Sequence, residues 1–147
     1  MQNKLRKAVP SDKPMLLALW QRSVQATHHF LTKQDIEKLH QSLSDEWLDQ
    51  VELWLLTNNN QIVGFIGLDD NHVEMLFIDD KQQGNGYGQQ LINFVKQKYQ
   101  QIYLDVNEQN PNALAFYQKQ GFKITGRSDV DGQGNHFPLL HLAYQAT

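Results

Sequence analysis

The sequence predicts an α/β domain in which about seven strands are interspersed with helices. Three observations carry that expectation. Apolar residues recur at helical spacing early in the chain, at Met15, Leu16, Leu19, Trp20 and Val24. Further on, short apolar runs at 62–68, 73–78 and 102–106 have strand length and are punctuated by helix-like segments. A length of 147 residues suits one domain, taken here as 1–147, with a proper core.

The elements follow in order. Lys4 to Val9 reads as a first strand. Ser11 or Asp12 can cap the first helix, and Pro14 falls in its first turn, where a missing N–H costs little. Thr32-Lys33-Gln34-Asp35 resembles a second helix start, after which Ile36, Leu39, Leu43, Trp47 and Val51 keep helical spacing, in one helix or two. Leu53–Thr57 and Ile62–Leu68 read as paired strands around an Asn58-Asn59-Asn60 turn. Val73–Ile78 continues the sheet. Gln89–Tyr99 is helical, with Leu91, Ile92, Val95 and Tyr99 on one face, and Ile102–Val106 is the next strand. Asn110-Pro111 opens another helix, which Gly121 closes so that Phe122 folds back on its last turn. Lys123–Gly126 and Leu139–Tyr144 are the final strands.

Gln83-Gly84-Asn85-Gly86-Tyr87-Gly88 stands where a strand hands over to a helix. Helix-start N–H groups lack intrahelical partners, and the helix dipole adds positive potential there. Glycine lets the backbone approach a ligand closely. The segment therefore reads as a cradle for a phosphate or diphosphate. It is not a P-loop, since no Lys-Ser or Lys-Thr follows. Its G-x-G-x-G spacing departs from the dinucleotide fingerprint G-x-G-x-x-G, although Asp105 lies near the distance of that fingerprint's acidic ribose contact. A turn using glycine only for its dihedral angles is the bland alternative.

Gln83-x-x-Gly86-x-Gly88 matches the Q/R-x-x-G-x-G/A signature of the GNAT N-acetyltransferases. Asn112-Ala113-Leu114-Ala115-Phe116-Tyr117-Gln118-Lys119-Gln120-Gly121-Phe122 resembles that family's second signature, N-x-x-A-x-x-F-Y-x-x-x-G-F, in the same order and at the same spacing. Ser23–Leu31 and Val106–Asn110 also look like segments of small bacterial members. The resemblance spans nearly the whole chain. It implies the GNAT (acyl-CoA N-acyltransferase) fold, an α/β architecture with a mixed, mostly antiparallel sheet of about seven strands flanked by helices, and acetyl-CoA as co-substrate, with no metal. It also implies direct attack of a primary amine on the acetyl group through a tetrahedral intermediate.

Residue by residue, the resemblance assigns the coenzyme to Gln83, Gly84, Asn85, Gly86, Tyr87 and Gly88, to backbone groups at Leu76, Phe77 and Ile78, and to Asn107, Asn112 and Tyr117. Tyr117 would protonate the departing thiolate, which suits a phenol of pKa near ~10. Its alternative is a core aromatic at helical spacing. Glu74 would take the proton that an alkyl ammonium must shed before attack. Strict alternation puts Glu74 on the face of Leu76 and Ile78, opposite Val73, Met75 and Phe77, where burial would be costly unless it is used or paired. Trp20, Thr27, His28, His29 and Phe30 fall in the region that walls the acceptor pocket in the family, and His72 shares the face of Glu74. Each histidine taken singly has a structural alternative. The family's Val-x-Pro is here Ile78-Asp79-Asp80, which caps the turn but brings negative charge toward the diphosphate. Gln83 replaces the commoner Arg.

Composition excludes several classes. There is no cysteine, hence no disulfide framework, thiolate metal site or cysteine nucleophile. The net charge of −3, with dispersed basic residues, argues against nucleic acid and so against a tRNA-directed acetyltransferase. No apolar run approaches the ~20 residues of a membrane span, and the N-terminus lacks an apolar signal core. A cytoplasmic monomer or homodimer is expected, acting on a small-molecule, amino-acid or peptide amine. The alternative is a sensor that binds acyl-CoA without turnover.

Overall fold

The computed structural model describes residues 3–28, 30–43, 50–131 and 134–147. Strands are β1 Asn3–Lys7, β2 Glu52–Asn58, β3 Gln61–Asp69, β4 His72–Ile78, β5 Gln101–Asn107, β6 Lys123–Ser128 and β7 Leu139–Gln145. The main helices are α1 Lys13–Thr27, α2 Lys33–Ser42, α3 Tyr87–Lys98 and α4 Pro111–Lys119. One sheet runs β1-β2-β3-β4-β5-β7-β6. Every neighbouring pair is antiparallel except β4 and β5. These two run parallel and pair only at His72–Tyr103 and Val73–Leu104. Beyond those residues they part, so a wedge opens in the middle of the sheet.

Two apolar cores hold the layers. Leu91, Ile92 and Val95 of α3 are fully buried against Ile66, Ile102, Leu104 and Leu142 on one sheet face. Each such side chain is worth about 1.5–3 kcal/mol. On the other face Leu16, Leu19, Trp20 and Val24 of α1 pack with Leu43, Leu55, Phe65 and Met75. Met15, expected on this stripe, is exposed. The second core draws on β2, β3 and β4, and none of its residues comes from β5, β6 or β7. The outward side chains of β5, Gln101, Tyr103 and Asp105, are exposed.

Local chemistry explains the turns and caps. Asn59 and Asn60 take φ of 53° and 68°, left-handed values that Asn tolerates and that a two-residue hairpin requires. Thr32 Oγ1 accepts from the Asp35 N–H at 3.0 Å, and Asp35 Oδ2 accepts from the Thr32 N–H at 2.9 Å, completing a capping box. Helix α2 ends at Ser42; Trp47 lies outside the described residues, and Val51 precedes β2 as a partly buried core residue rather than a helical one. Asn110 Oδ1 caps α4 through the Ala113 N–H, and Gly121, at φ 99°, ends it.

Asp12 does not cap α1 with its side chain. It turns back, accepting from Arg6 Nη1 and Nη2 at 2.9 Å each and from the Val9 N–H at 2.8 Å. The Arg6 hydrogen bond, helped by that N–H and opposed by desolvation, holds the Asp12 carboxyl below the usual carboxylate range. A depressed folded value means that this stabilisation is present above the unfolded value of ~3.9 and is lost as pH falls through the folded one. Asp12→Asn is therefore expected to cost about 1–2 kcal/mol in urea unfolding at neutral pH. The gap to wild type should narrow toward about pH 2. A gap that stays constant with pH would contradict this account.

Alternation along β4 is broken, which corrects the expected facing of Val73, placed by strict alternation opposite Leu76 and Ile78. Gly67 pairs with Met75, but the next residue, Leu68, pairs with Val73. Glu74 is thus the extra residue of a β-bulge. Val73 joins Leu76 and Ile78 in the α3–α4 core, while Met75 and Phe77 face α1. The Glu74 side chain is 42% exposed, so no cost of burial attaches to it.

Candidate active site

A cavity of about 670 Å³ lies where the wedge meets α3 and α4. Leu76, Phe77 and Ile78 of β4 form one wall, and Asn112, Ala113, Phe116 and Tyr117 of α4 form the other. Gln83, Gly84, Gly86, Tyr87 and Gly88 border it, and Ser23 and His28 from α1 and its C-cap reach it from the opposite sheet face.

The glycine segment has the conformation of a cradle. Gly84 and Gly86 take φ of 84° and 78°, and a Cβ on either would meet nothing within 4 Å. Their need for glycine is conformational, and the space beside them is open. Gly86 is the N-cap of α3, which starts two residues earlier than its apolar spacing suggested. The Gln90 N–H bonds to the Gly86 carbonyl at 3.1 Å, so the amides of Tyr87, Gly88 and Gln89 precede the first intrahelical donor. Gly88 is helical and has a different reason: a Cβ there would lie 3.1 Å from Phe116 Cζ, so its absence lets α3 lie against α4.

Of the negative charge expected at this turn, that of Asp79 is paired. Arg22 of α1 meets Asp79 through Nη2–Oδ2 at 2.9 Å and Nε–Oδ1 at 3.4 Å. Desolvation works against the ionised Asp79, but Arg22 and the Lys81 N–H outweigh it and hold the carboxyl below its usual range. The Gln83 side chain closes the turn, donating from Nε2 to the Ile78 carbonyl at 3.2 Å. Asn85 donates to the Gln82 carbonyl at 3.0 Å. The Tyr87 ring is buried in the α3–α4 core, and its hydroxyl accepts from Asn58 Nδ2 at 2.7 Å, which leaves its main chain for the cradle.

Tyr117 is buried against Phe116 and Phe122, with ring centroids 5.1 and 5.6 Å away. Among the described residues no group hydrogen-bonds its hydroxyl. Burial pushes its pKa well above the ordinary phenol value, so the group stays protonated at neutral pH. A phenol in this position can donate a proton to a group held in the cavity.

The remaining expected residues divide. His28 lines the cavity, with Nε2 3.5 Å from Asn110 Nδ2. Phe30 stacks between His28 and Phe137, at 5.5 and 5.9 Å, linking the α1–α2 turn to the β6–β7 connection. Trp20 lies in the α1–α2 core, 6.0 Å from the His40 ring, and does not line the cavity. Thr27 ends α1, and His29 lies outside the described residues. His72 and Glu74 stand together, Nδ1 to Oε1 3.6 Å, outside the lining. Asn107 also stands outside it, its Oδ1 accepting from the Gln109 N–H at 2.9 Å. Sequence reasoning did not assign Ser23, Asn110 or Phe116 to the site. A buried serine within the apolar stripe of α1 is the one signal it offered. The dinucleotide reading fails, because the sheet is mostly antiparallel and Asp105 is bonded to His141 on the face away from α3. Among the described residues, no group of three His, Asp or Glu side chains is placed to hold a metal, and no helix is long and apolar enough to cross a membrane.

A splayed β4–β5 pair, a left-handed glycine turn opening a helix, and a buried phenol meet around one cavity. Residues 20–142 match the family described as Acetyltransferase (GNAT) domain. The chain is 39% identical to the peptidyl-lysine N-acetyltransferase YjaB of Salmonella typhimurium over 145 residues, covering 98% of this chain and 99% of that one. Its structure superposes on the solution structure of apo-form YjaB from Escherichia coli with a TM-score of 0.92 at 38% identity, covering all of both chains. The PaiA N-acetyltransferase of Thermoplasma acidophilum, solved in complex with coenzyme A, shares the fold at TM-score 0.80 and 19% identity, with 99% of each chain covered. The chain belongs to the GNAT family and is an acetyl-CoA-dependent N-acetyltransferase.

Proposed function

We propose that the acceptor is a primary amine, with a lysine side chain of a peptide as its first candidate, and that it takes the acetyl group directly, without an acyl-enzyme. The names of the YjaB relatives support the acceptor, and the absence of cysteine supports direct transfer. The observation that carries the reading is the buried Tyr117 phenol, which lines the cavity that the glycine turn borders and to which no described residue hydrogen-bonds.

Bound acetyl-CoA supplies an activated thioester. Main-chain amides over Gly84–Gly88 hold its diphosphate, where the α3 dipole favours negative charge. The edge of β4 toward the wedge has no strand partner beyond Val73, so a main-chain N–H near Leu76–Ile78 is available to the acyl oxygen. Asn112 touches the coenzyme at the start of α4, and Asn107 contacts the arm at the end of β5. Tyr117 gives its proton to the leaving sulfur. Glu74, exposed on its bulge beside His72, removes the proton from the ammonium, directly or through water. His28 and Phe30 border the acceptor path.

The test is mass-spectrometric detection of acetyl transfer to a lysine peptide, beside polyamine and free amino-acid acceptors. Turnover of small amines alone would move the acceptor class, and coenzyme binding without any turnover would favour a sensor. In the same assay Glu74→Gln is expected to lose most activity at lower pH, where more amine arrives protonated. A pH profile matching wild type would remove Glu74 from the mechanism.

A further inference from the structure

On the sheet face away from α3 and α4, three side chains from three strands form one hydrogen-bonded chain. Asp105 Oδ1 on β5 lies 2.6 Å from Nδ1 of His141 on β7. Nε2 of His141 lies 2.7 Å from Ser128 Oγ on β6. Asp105 and His141 are direct cross-strand partners. His141 also pairs with Gly126, where a Cβ would stand 3.3 Å from its Cδ2, so the ring lies across a position kept small. The α1–α2 core does not extend to these strands, and Asp105 and His141 remain 38% and 37% exposed.

The position of this chain matters. β4 and β5 part after Val73 and Leu104, so Asp105 is the first residue of β5 on this face at the rim of the wedge. On the β4 rim stands Glu74, with His72 at 3.6 Å. The His72 ring meets the edge of Tyr103, and the side chain of Tyr103 shares the face of Asp105. Asp105 and the His72–Glu74 pair thus stand on the two strands that border the wedge.

We infer that Asp105, fixed by His141 and Ser128, receives the ammonium of the incoming acceptor at the mouth of the wedge, so that the enzyme selects a cationic amine by charge. This rests on the proposed transfer to an amine and adds a residue that binds it. In the tautomer that carries Nδ1–H, His141 donates to Asp105 and its Nε2 accepts from the Ser128 hydroxyl. The second carboxylate oxygen takes no part in these bonds, and the orientation of the group is set before the ligand arrives. A charge-assisted hydrogen bond to a pre-oriented group is stronger and loses less entropy on binding than one to a mobile side chain. The same order of groups activates a serine nucleophile in hydrolases. Here the carboxylate end, not the hydroxyl end, is on the strand that borders the wedge, and none of the three side chains lines the cavity on the other face.

The experiment titrates a lysine peptide into the coenzyme A-loaded protein and follows the His141 imidazole resonances by NMR. The His141 signals should shift on binding. Asp105→Asn should weaken peptide binding about tenfold, the loss of one charge-assisted contact at a partly exposed site, with coenzyme A affinity unchanged. His141→Asn, which retains an amide donor toward Asp105, should bind better than His141→Leu. Peptide binding that leaves His141 unmoved, absence of peptide binding, equal peptide affinity in Asp105→Asn, or parallel loss of coenzyme affinity would each overturn the inference. A peptide that shifts His141 but is never acetylated would support this site and refute the proposed reaction instead.

Discussion

Gly86→Glu is expected to abolish coenzyme A binding while the domain stays folded. Gly86 is the N-cap of α3 at φ 78°, and the space where its Cβ would stand is empty of protein. A side chain there meets no clash in the free protein. It carries the cost of a left-handed conformation, about 1 kcal/mol, which a domain of this size survives. What the glutamate adds is a carboxylate at the place where the α3 dipole and unpaired amides would receive a diphosphate. Gly86→Ala carries the same strain without the charge and serves as the control. By calorimetry the alanine variant should bind within about tenfold of wild type, and the glutamate variant should be weaker by more than about a hundredfold. Equal affinity of the two variants would refute the cradle.

Tyr117→Phe is expected to lower turnover about a hundredfold, within the range for removing one general acid, while coenzyme affinity changes little. The ring is held by Phe116 and Phe122, so phenylalanine fills the same space. Among the described residues the hydroxyl bonds to nothing, so its removal leaves no protein partner orphaned. Burial keeps the phenol protonated at neutral pH, which is the state a leaving thiolate requires of its donor. Equal loss of turnover and affinity would indicate a packing role, and unchanged turnover would remove the phenol from the chemistry.

What the sequence made legible was local or carried by motif. The hairpin at Asn59 and Asn60, the capping box at Thr32 and the α4 cap at Asn110 depend on residues three or four apart, so their chemistry is visible in a linear reading. The left-handed glycines at 84 and 86 belong to the same class. Trp20 packs in the α1–α2 core rather than lining the cavity, because the helical stripe that puts it toward the sheet serves a core as well as a pocket. The facing of Val73 failed because the bulge is a property of the β3–β4 pairing, and neither strand's own pattern records it. The Phe30–Phe137 contact and the Asp105–His141–Ser128 chain join segments far apart in sequence. The second of these exists only because β7 inserts between β5 and β6.

The central claim is that main-chain amides at the start of α3 hold a coenzyme whose sulfur ends beside Tyr117. A crystal structure with coenzyme A soaked into this protein tests it most directly. The account predicts the diphosphate on the N–H groups of residues 84–88, the arm in the β4–β5 wedge, and the thiol within hydrogen-bond reach of the Tyr117 hydroxyl. A diphosphate bound elsewhere, or a thiol pointing away from that hydroxyl, would contradict it.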